Sequence, residues 1–232
     1  MTTFSLLHLS GLPIFEQLQL EEALLRADEG NWCLINSGVP PAIVMGISAK
    51  PEELLDLPRV QQDNIPVIKR FSGGGTVYVD GQTLFVSFIC NSKELNVPTY
   101  PRSILEWTEK IYKPTFPTFE IQENDYVFGE KKFGGNAQYI KKDRWLHHTS
   151  FLWDFDAEKM NYLHLPKRRP AYREERDHDE FLCRLRDYFP SQEHVIDKIK
   201  DQLSQSFEVN CVTLEETLPI LSRPHRKGTK LL

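Results

Sequence analysis

The sequence predicts one α+β domain that spans residues 1–232. Apolar residues recur at helical spacing near the N-terminus, and short apolar or alternating runs typical of strands follow as far as residue 155. Beyond residue 156 the apolar residues again recur at helical spacing. No internal repeat or low-complexity linker divides the chain, and a chain of 232 residues can bury about 70% of its unfolded surface.

The composition narrows the classes of function. A formal net charge of −5 argues against non-specific nucleic-acid binding, so no nucleic-acid partner is expected. No apolar run approaches the ~20 residues needed to cross a bilayer, and the N-terminus lacks the pattern of a secretory signal, so no membrane partner is expected. The four cysteines lie far apart without a CxxC pair, which indicates reduced thiols and a cytoplasmic protein.

The first elements follow from periodicity. Residues 3–9 predict a strand, and the apolar spacing from Pro13 to about Ala27 predicts a helix. We interpret Glu21 and Glu22 as part of the solvated face of this helix, although paired carboxylates also occur in acid–base sites.

Turn residues predict two hairpins in the next part of the chain. The apolar runs 32–36 and 42–47 flank a segment rich in glycine and proline. The runs 76–79 and 83–88 flank the dipeptide Asp80-Gly81, which is a strong tight-turn signal. Each pair of runs is therefore expected to form neighbouring antiparallel strands.

The middle of the chain alternates again between helix and strand. Residues 101–112 predict a helix, and residues 119–140 predict strands interrupted at Asn124-Asp125 and at Gly134-Gly135. Residues 145–155 alternate, and the face that carries the aromatic residues is expected in the core.

The last third predicts two helices and a strand. Asp177 can cap a helix that runs through Tyr188 and buries Cys183. A second helix is predicted around residues 196–203, and a strand is predicted at residues 207–212. The basic stretch Pro166–Arg176 precedes these elements. We interpret it as a solvated loop, and a ligand contact remains the alternative.

The segment Lys69–Tyr78 reads KRFSGGGTVY. One short predicted strand precedes its three glycines, and another follows them. Glycine permits unusual torsions and lets main-chain N–H groups approach a ligand. The guanidinium of Arg70 suits a carboxylate or a phosphate. The segment matches neither a Walker loop nor a dinucleotide fingerprint. It predicts a cradle for an anionic ligand, with a ligand-free hairpin loop as the alternative.

A second glycine-containing segment, Gly129–Gln138, carries Lys131 and Lys132. An ammonium group can contact a carboxylate oxygen and a phosphate at the same time. Strand alternation sends the two lysines to opposite faces, so only one can enter a site. The local pattern does not choose between them, and both could be solvated on a turn.

These segments resemble the lipoate–protein ligase A family. Lys69–Tyr78 is similar to its Arg-Arg-x-Ser-Gly-Gly-Gly-Ala-Val signature, and Gly129–Ala137 to its Gly-x-Lys/Arg-Lys-x-x-Gly-x-Ala segment. His147–Leu152 resembles the His-His-Gly-Thr-Leu-Leu strand of that family. The blocks occur in the family's order over roughly residues 10–160.

The resemblance implies a biotin/lipoate-ligase fold, like that of class II aminoacyl-tRNA synthetases, with a mixed, mainly antiparallel sheet flanked by helices. It implies a short form without the accessory C-terminal domain. ATP, with Mg²⁺, and lipoate or octanoate would form an acyl-adenylate, and the acyl group would pass to a lysine. The implied acceptors are lipoyl domains of 2-oxoacid dehydrogenase complexes or the H protein of glycine cleavage, with a separate accessory subunit as a further partner.

The resemblance also assigns site residues. Lys132 matches the catalytic lysine that contacts the acyl carbonyl and the phosphate, and no protein metal ligand is expected. The residues expected to bind the ligands are Arg70, Ser72, Gly73, Gly74, Gly75, Thr76, Val77, Tyr78, Asn124, Asp125, Lys132, Gly135, Ala137 and His148.

Some positions depart from the family pattern and leave other functions open. Ile47 and Ala49 stand where Arg and Gln are usual. An octanoyl- or lipoyl-transferase would use a cysteine thioester without ATP, and Cys90 and Cys183 are available, although neither resembles the nucleophile motif. A third possibility is a non-catalytic module that binds lipoyl domains.

Overall fold

The computed structural model describes residues 2–165 and 169–232, which form two β-sheets flanked by helices. The strands are β1 (Thr3–Ser10), β2 (Asn31–Ser37), β3 (Ala42–Met45), β4 (Val67–Lys69), β5 (Val77–Val79), β6 (Thr83–Asn91), β7 (Glu120–Gln122), β8 (Asp125–Phe128), β9 (Lys131–Lys141), β10 (Arg144–Leu152), β11 (Glu208–Val212) and β12 (Lys230–Leu231). The α-helices are α1 (Ile14–Ala27), α2 (Pro51–Leu54), α3 (Leu57–Gln62), α4 (Ser92–Leu95), α5 (Pro101–Tyr112), α6 (Ala157–Met160), α7 (His178–Phe181), α8 (Gln192–Ser206) and α9 (Leu214–Leu221). Within those described ranges, no helix combines the length and the apolar character that a bilayer crossing requires.

The larger sheet has eight strands in the order β11-β1-β2-β6-β10-β9-β8-β7. Strand β1 is parallel to both of its neighbours, and all other pairs are antiparallel. The smaller sheet has the order β12-β4-β3-β5, with β3 and β4 parallel. The α+β class and the mixed, mainly antiparallel arrangement are therefore confirmed.

Both predicted hairpins are wrong. Strand β2 lies between β1 and β6 in the larger sheet, whereas β3 belongs to the smaller sheet. The turn at Asp80 does form, because the Thr83 N–H donates to the Asp80 carbonyl at 2.9 Å. The strands on either side of it, β5 and β6, nevertheless enter different sheets. A local sequence pattern identifies a strand. Which strand it pairs with depends on how the two faces of the sheet are buried.

Helix α1 contacts both sheets. Its residues Leu20 and Leu24 pack with Leu34 and Leu146 on one face of the larger sheet. Nearer its N-terminus, apolar residues such as Leu18 pack against the smaller sheet. Phe71, at the start of the glycine segment that follows β4, packs in the same cluster as Leu20 and Leu24, so this segment lies beside α1.

The opposite face of the larger sheet is covered by α5 and α8 over an aromatic cluster that contains Phe151 and, at its edge, Trp153 of the predicted aromatic face. Phe155 of that face packs in a separate cluster with Met160 and Phe181.

The predicted solvated face of α1 is wrong, because Glu21 and Glu22 are both buried. The Glu21 carboxylate accepts hydrogen bonds from Gln17 at 2.8 Å and Ser87 at 2.6 Å, and lies 2.9 Å from Nδ1 of His148. The Glu22 carboxylate accepts the N–H groups of Gly228 and Thr229, which precede β12. Hydrogen bonds of this kind offset the cost of burying a carboxylate.

The predicted helix from Asp177 to Tyr188 is much shorter. Asp177 caps it as predicted, with Glu180 completing a capping box, but the helix ends at Phe181. Beyond it the Cys183 N–H donates to the Lys132 carbonyl at 2.9 Å, so the chain runs alongside β9. Cys183 is buried but lies outside any helix. Bonding to the sheet replaces the helical bonding that periodicity alone suggested.

Two other predictions in this region need correction. Strand β9 continues through Gly134-Gly135, where a break was expected, because these residues pair with β8 and β10. In the basic stretch, Pro166, Lys167 and Arg168 lie outside the described residues. Arg173 is buried, contrary to the expected solvated loop.

His147 of β10 gives a pH-dependent contribution to stability. Its ring is fully buried, with Nε2 at 3.1 Å from the Tyr126 hydroxyl and Nδ1 at 2.9 Å from the Gln138 amide. Burial, assisted by the nearby His148, lowers the pKa of His147 to about 3. The folded protein therefore keeps this ring neutral at pH 5, whereas the unfolded chain binds a proton below about pH 6.5.

We expect His147 to make the free energy of unfolding about 2 kcal/mol smaller at pH 5 than at pH 7, because this contribution is present above pH 6.5 and is lost as the pH falls towards 3. Urea unfolding at both pH values, in the wild type and in His147→Gln, measures it. The variant should lose about this much of the pH dependence. The same pH dependence in both proteins would contradict the assignment.

Candidate active site

Arg70 holds the glycine segment from the inside. Its side chain is buried, and Nη2 donates to the carbonyl oxygens of Gly73 and Gly75, each at 2.8 Å. Burial lowers the pKa of Arg70 to about 10, against the opposing effect of the Glu21 carboxylate, so the guanidinium is charged at neutral pH. These donors point at the backbone of the loop. Arg70 therefore orders the cradle, and its predicted contact with the ligand stays a prediction.

Gly74 brings the loop onto strand β9. Its φ of +105° belongs to a region that side chains rarely occupy. A Cβ added there would lie 2.6 Å from Nη2 of Arg70 and 3.5 Å from the Cβ of Ala137. Glycine is required by both the torsion and the space. The loop and the lysine-bearing strand therefore meet directly.

Lys132 is the lysine of the pair that faces this region, while Lys131 is exposed. The Lys132 ammonium forms an ion pair of 2.8 Å with Asp125, and its side chain is 22% exposed. A Cβ added at Gly135 would lie 3.1 Å from Nζ of Lys132, so this glycine leaves room for the lysine side chain. The second oxygen of Asp125 accepts a hydrogen bond of 2.9 Å from Tyr172. Asp125, which is itself held by Tyr172, thus fixes the position of the ammonium.

A pocket of about 90 Å³ opens between these elements. The strand that leaves the glycines contributes Thr76, Val77 and Tyr78, and β9 contributes Lys132 and Gly135. Burial raises the pKa of the Tyr78 hydroxyl to about 12, so it remains a neutral hydrogen-bonding group. The remaining lining residues are Val79, Thr83, Ser150, Leu152, Met160, Leu163, Arg173, His178, Phe181 and Leu182. The pocket joins a cationic centre to an apolar wall.

Other predicted site residues lie outside this lining. Ser72 is buried beside the loop, and its carbonyl accepts the Ile47 N–H at 3.0 Å. Asn124 is exposed, and its carbonyl accepts a hydrogen bond from the Asn136 amide at 2.8 Å. His148 bonds the buried Glu21. Some of the predicted site residues therefore line the pocket, whereas Ser72, Asn124 and His148 lie around it.

Four residues close the pocket from the C-terminal side. Arg173 belongs to the basic stretch for which a ligand contact was the alternative interpretation, whereas sequence reasoning missed His178, Phe181 and Leu182. Arg173, His178, Phe181 and Leu182 line it together with Lys132. The backbone of Leu182 forms a bridge with Lys132, which fixes this segment against β9. The cluster of basic residues and the cap at Asp177 were visible signals, but neither identifies the surface that a segment covers.

Residues 13–208 match the sequence model of the lipoyl protein ligase A/B catalytic domain. The chain belongs to this family. A Plasmodium falciparum protein named inactive lipoate–protein ligase 2 is 32% identical over a region that covers 75% of this chain and 61% of that protein. The chain thus spans about three fifths of the length of this curated relative.

Solved structures show the same fold. A crystal structure of lipoate–protein ligase A bound with ATP superposes with a TM-score of 0.77 at 18% identity, covering 95% of this chain and 92% of that chain. The bipartite lipoate–protein ligase of Thermoplasma acidophilum, solved in a study with its E2 lipoyl domain, superposes with a TM-score of 0.78 at 20% identity, covering 95% and 91%. The fold is that of lipoate–protein ligases.

Proposed function

We propose that this chain is an ATP-dependent lipoate–protein ligase, which activates lipoate or octanoate as an acyl-adenylate and transfers the acyl group to a lysine of a lipoyl domain. One observation carries the proposal: the Lys132 ammonium and the strand leaving the glycine loop line one pocket. Membership of the ligase family supports the same reaction class. We propose that residues 1–232 act as one catalytic domain.

The reacting groups of the first step suit this pocket, whose volume of about 90 Å³ fits those groups and not the two whole ligands. A carboxylate oxygen attacks the α-phosphorus of ATP and displaces pyrophosphate, which brings two anions together. A fixed ammonium and backbone N–H donors lower the barrier to such a step. Lys132 is held at the pocket by Asp125, so its charge is in place before substrate enters. Val77, Leu152 and Phe181 suit the apolar parts of the ligands.

The second step uses the same charge. The neutral amine of the acceptor lysine attacks the acyl carbonyl and forms an amide. The bond between the carbonyl carbon and the phosphate oxygen breaks with its electrons going to AMP, and the proton of the amine passes to water. The Lys132 ammonium stabilises the oxyanion of the attacked carbonyl. Mg²⁺ would accompany ATP and be held mainly by phosphate and water oxygens, because this ion keeps several of its waters and binds through substrate phosphates.

The experiment offers the protein three sets of reactants. ATP, lipoate and a lipoyl domain test the ligase, and an acyl-carrier thioester without ATP tests the transferase. Because one relative is named inactive, lipoyl-AMP is measured directly by mass spectrometry, separately from the acylated domain. ATP-dependent formation of both products supports the proposal. Transfer only from the thioester, or binding of the domain without any transfer, contradicts it.

The cysteines argue against the transferase. Cys90 is buried within β6, and burial raises the pKa of its thiol well above the usual range. Burial also raises the pKa of Cys183 to about 11, although the nearby Lys131 opposes the shift. A nucleophilic cysteine needs the opposite shift, because the thiolate is the reactive form. All four cysteines are free, which supports a reducing compartment, and we propose the cytoplasm.

We expect Cys183→Ala and Cys90→Ala to retain acyl transfer within about twofold at temperatures where both variants are folded, because neither thiol takes part. Acylation of the lipoyl domain is followed by intact-mass spectrometry, and circular dichroism monitors folding. Loss of transfer in either folded variant would instead support a thioester mechanism.

A further inference from the structure

Arg173 is a buried cation that the family motifs do not include. It lies at the end of a short 3₁₀ helix, Ala171–Arg173, and is only 6% exposed. Its side chain lines the same pocket as Lys132. The two cations arrive from different directions, one from strand β9 and one from the segment that covers that strand.

The surroundings of Arg173 orient it without using all of its donors. Its Nε donates to the Arg176 carbonyl at 3.1 Å, and Nε of Arg176 returns a hydrogen bond of 3.1 Å to the Arg173 carbonyl. The guanidinium carbon lies 4.6 Å from the centre of the Phe181 ring. Its Nη2 is buried and has no hydrogen-bond partner among residues 2–165 and 169–232. The side chain of Arg173 is therefore held in position, but Nη2 of its guanidinium does not donate a hydrogen bond to those residues.

An unpaired donor on a buried guanidinium is costly, and a bound anion would remove the cost. Burial lowers the pKa of Arg173, as do the guanidiniums of Arg169 and Arg176, and Asp177 opposes them. Asp125 is already bonded by Lys132 and Tyr172. The empty partner position on Arg173 is therefore suited to a negative charge brought by a ligand.

His178 adds no negative charge to the pocket. It lines the pocket beside Arg173, and burial, followed by the charge of Arg173, lowers its pKa to about 4. Its ring is neutral at neutral pH. The charged side chains that line the pocket, among the residues that the structure describes, are thus Lys132 and Arg173.

We propose that Arg173 binds the phosphate group of the acyl-adenylate, as a second cation alongside Lys132. A guanidinium fork matches two phosphate oxygens, whereas an ammonium provides a point charge. The mixed anhydride of a carboxylic acid and a nucleoside monophosphate carries such an anion between the acyl group and the nucleoside. This inference rests on the proposed function and adds to it a residue that selects for the charged linker.

The test compares two ligands that differ in one charge. One is an octanoyl-adenylate mimic whose linker is a ketophosphonate, and the other has an uncharged sulfone in its place. Calorimetry measures both affinities for the wild type, for Arg173→Met and for Arg169→Met. Arg169 is the matched control, because it lies on the same segment and pairs with Glu175 outside the pocket lining.

We expect Arg173→Met to weaken binding of the phosphonate mimic by about tenfold to hundredfold, as for the loss of a charge-assisted hydrogen bond. Binding of the sulfone mimic should change less than about twofold, and the control should keep the wild-type preference. A purely structural role for Arg173 would weaken both ligands equally and would overturn the inference. Arg173→Gln, which retains a donor for the Arg176 carbonyl, is the second neutral variant if the methionine variant does not fold.

The two proposals fail in different ways. If the wild type forms lipoyl-AMP but folded Arg173 variants keep the wild-type preference for the phosphonate, only the role of Arg173 is overturned. If the wild type forms no lipoyl-AMP and binds neither mimic, the proposed function fails, and the inference fails with it.

Discussion

Lys132→Ala is expected to lower the rate of lipoyl-AMP formation by at least about 100-fold to 1,000-fold, the usual cost of removing a donor that stabilises the negative charge of a transition state. Its ammonium lines the pocket and is held there by Asp125 at 2.8 Å. The fold should survive, because the side chain is partly exposed and Asp125, which loses this partner, keeps its hydrogen bond from Tyr172. Quantifying lipoyl-AMP in single-turnover reactions measures the effect.

Lys131→Ala is the matched control. This neighbour has the same charge and lies on the same strand, but its side chain is exposed and does not line the pocket. We expect a rate within about twofold of the wild type. Equal rates for Lys132→Ala and the wild type would remove Lys132 from the mechanism, and a large loss in Lys131→Ala alone would reverse the assignment of the two lysines.

Arg70→Met is expected to have the second largest effect, and to act on the loop. It leaves the carbonyls of Gly73 and Gly75 without the donors they have now. Gly73 is partly buried and Gly75 is exposed, so water can replace part of this bonding. At about 0.5–1.5 kcal/mol for each lost hydrogen bond, we expect the free energy of unfolding to fall by about 1–3 kcal/mol. Adenylate formation should fall with it, because the backbone of the cradle loses its support.

Lys69→Met is the control for this substitution. It removes one positive charge from the adjacent residue, which is only partly buried at the end of β4. We expect its unfolding free energy to change by less than about 1 kcal/mol. Urea unfolding of both variants measures the difference. An Arg70→Met protein with wild-type stability and lost nucleotide binding would show that Arg70 contacts the ligand directly.

Much of the secondary structure follows from periodicity. The predicted helix at residues 101–112 coincides with α5, and the predicted bounds of α1 differ by one residue at its start. Each of these helices carries apolar residues at helical spacing, which a single sequence displays. Strand partners are different, since β2 and β3 each look like half of a hairpin but lie in separate sheets. Their pairing depends on residues far away in the chain.

The site also has parts that the sequence predicts and parts that it does not. The motifs predict that Lys132 and the strand after the glycines belong to one site, and they line one pocket. The motifs do not predict that Arg173 closes it, because this depends on the bridge between Leu182 and β9. They also do not predict the buried state of Glu21, whose hydrogen-bond partners include Ser87 on another element. From sequence alone, charged residues on a helix are predicted to be exposed, because the partners that allow Glu21 to be buried lie on other elements.

The most direct test of the central claim is a crystal structure of the wild-type protein with the ketophosphonate mimic of octanoyl-adenylate. We predict a phosphonate oxygen about 3 Å from Nζ of Lys132, with the adenylate against the strand that leaves the glycine loop. A mimic bound at another surface, or one seated in the pocket with its phosphonate directed away from Lys132, would contradict the account.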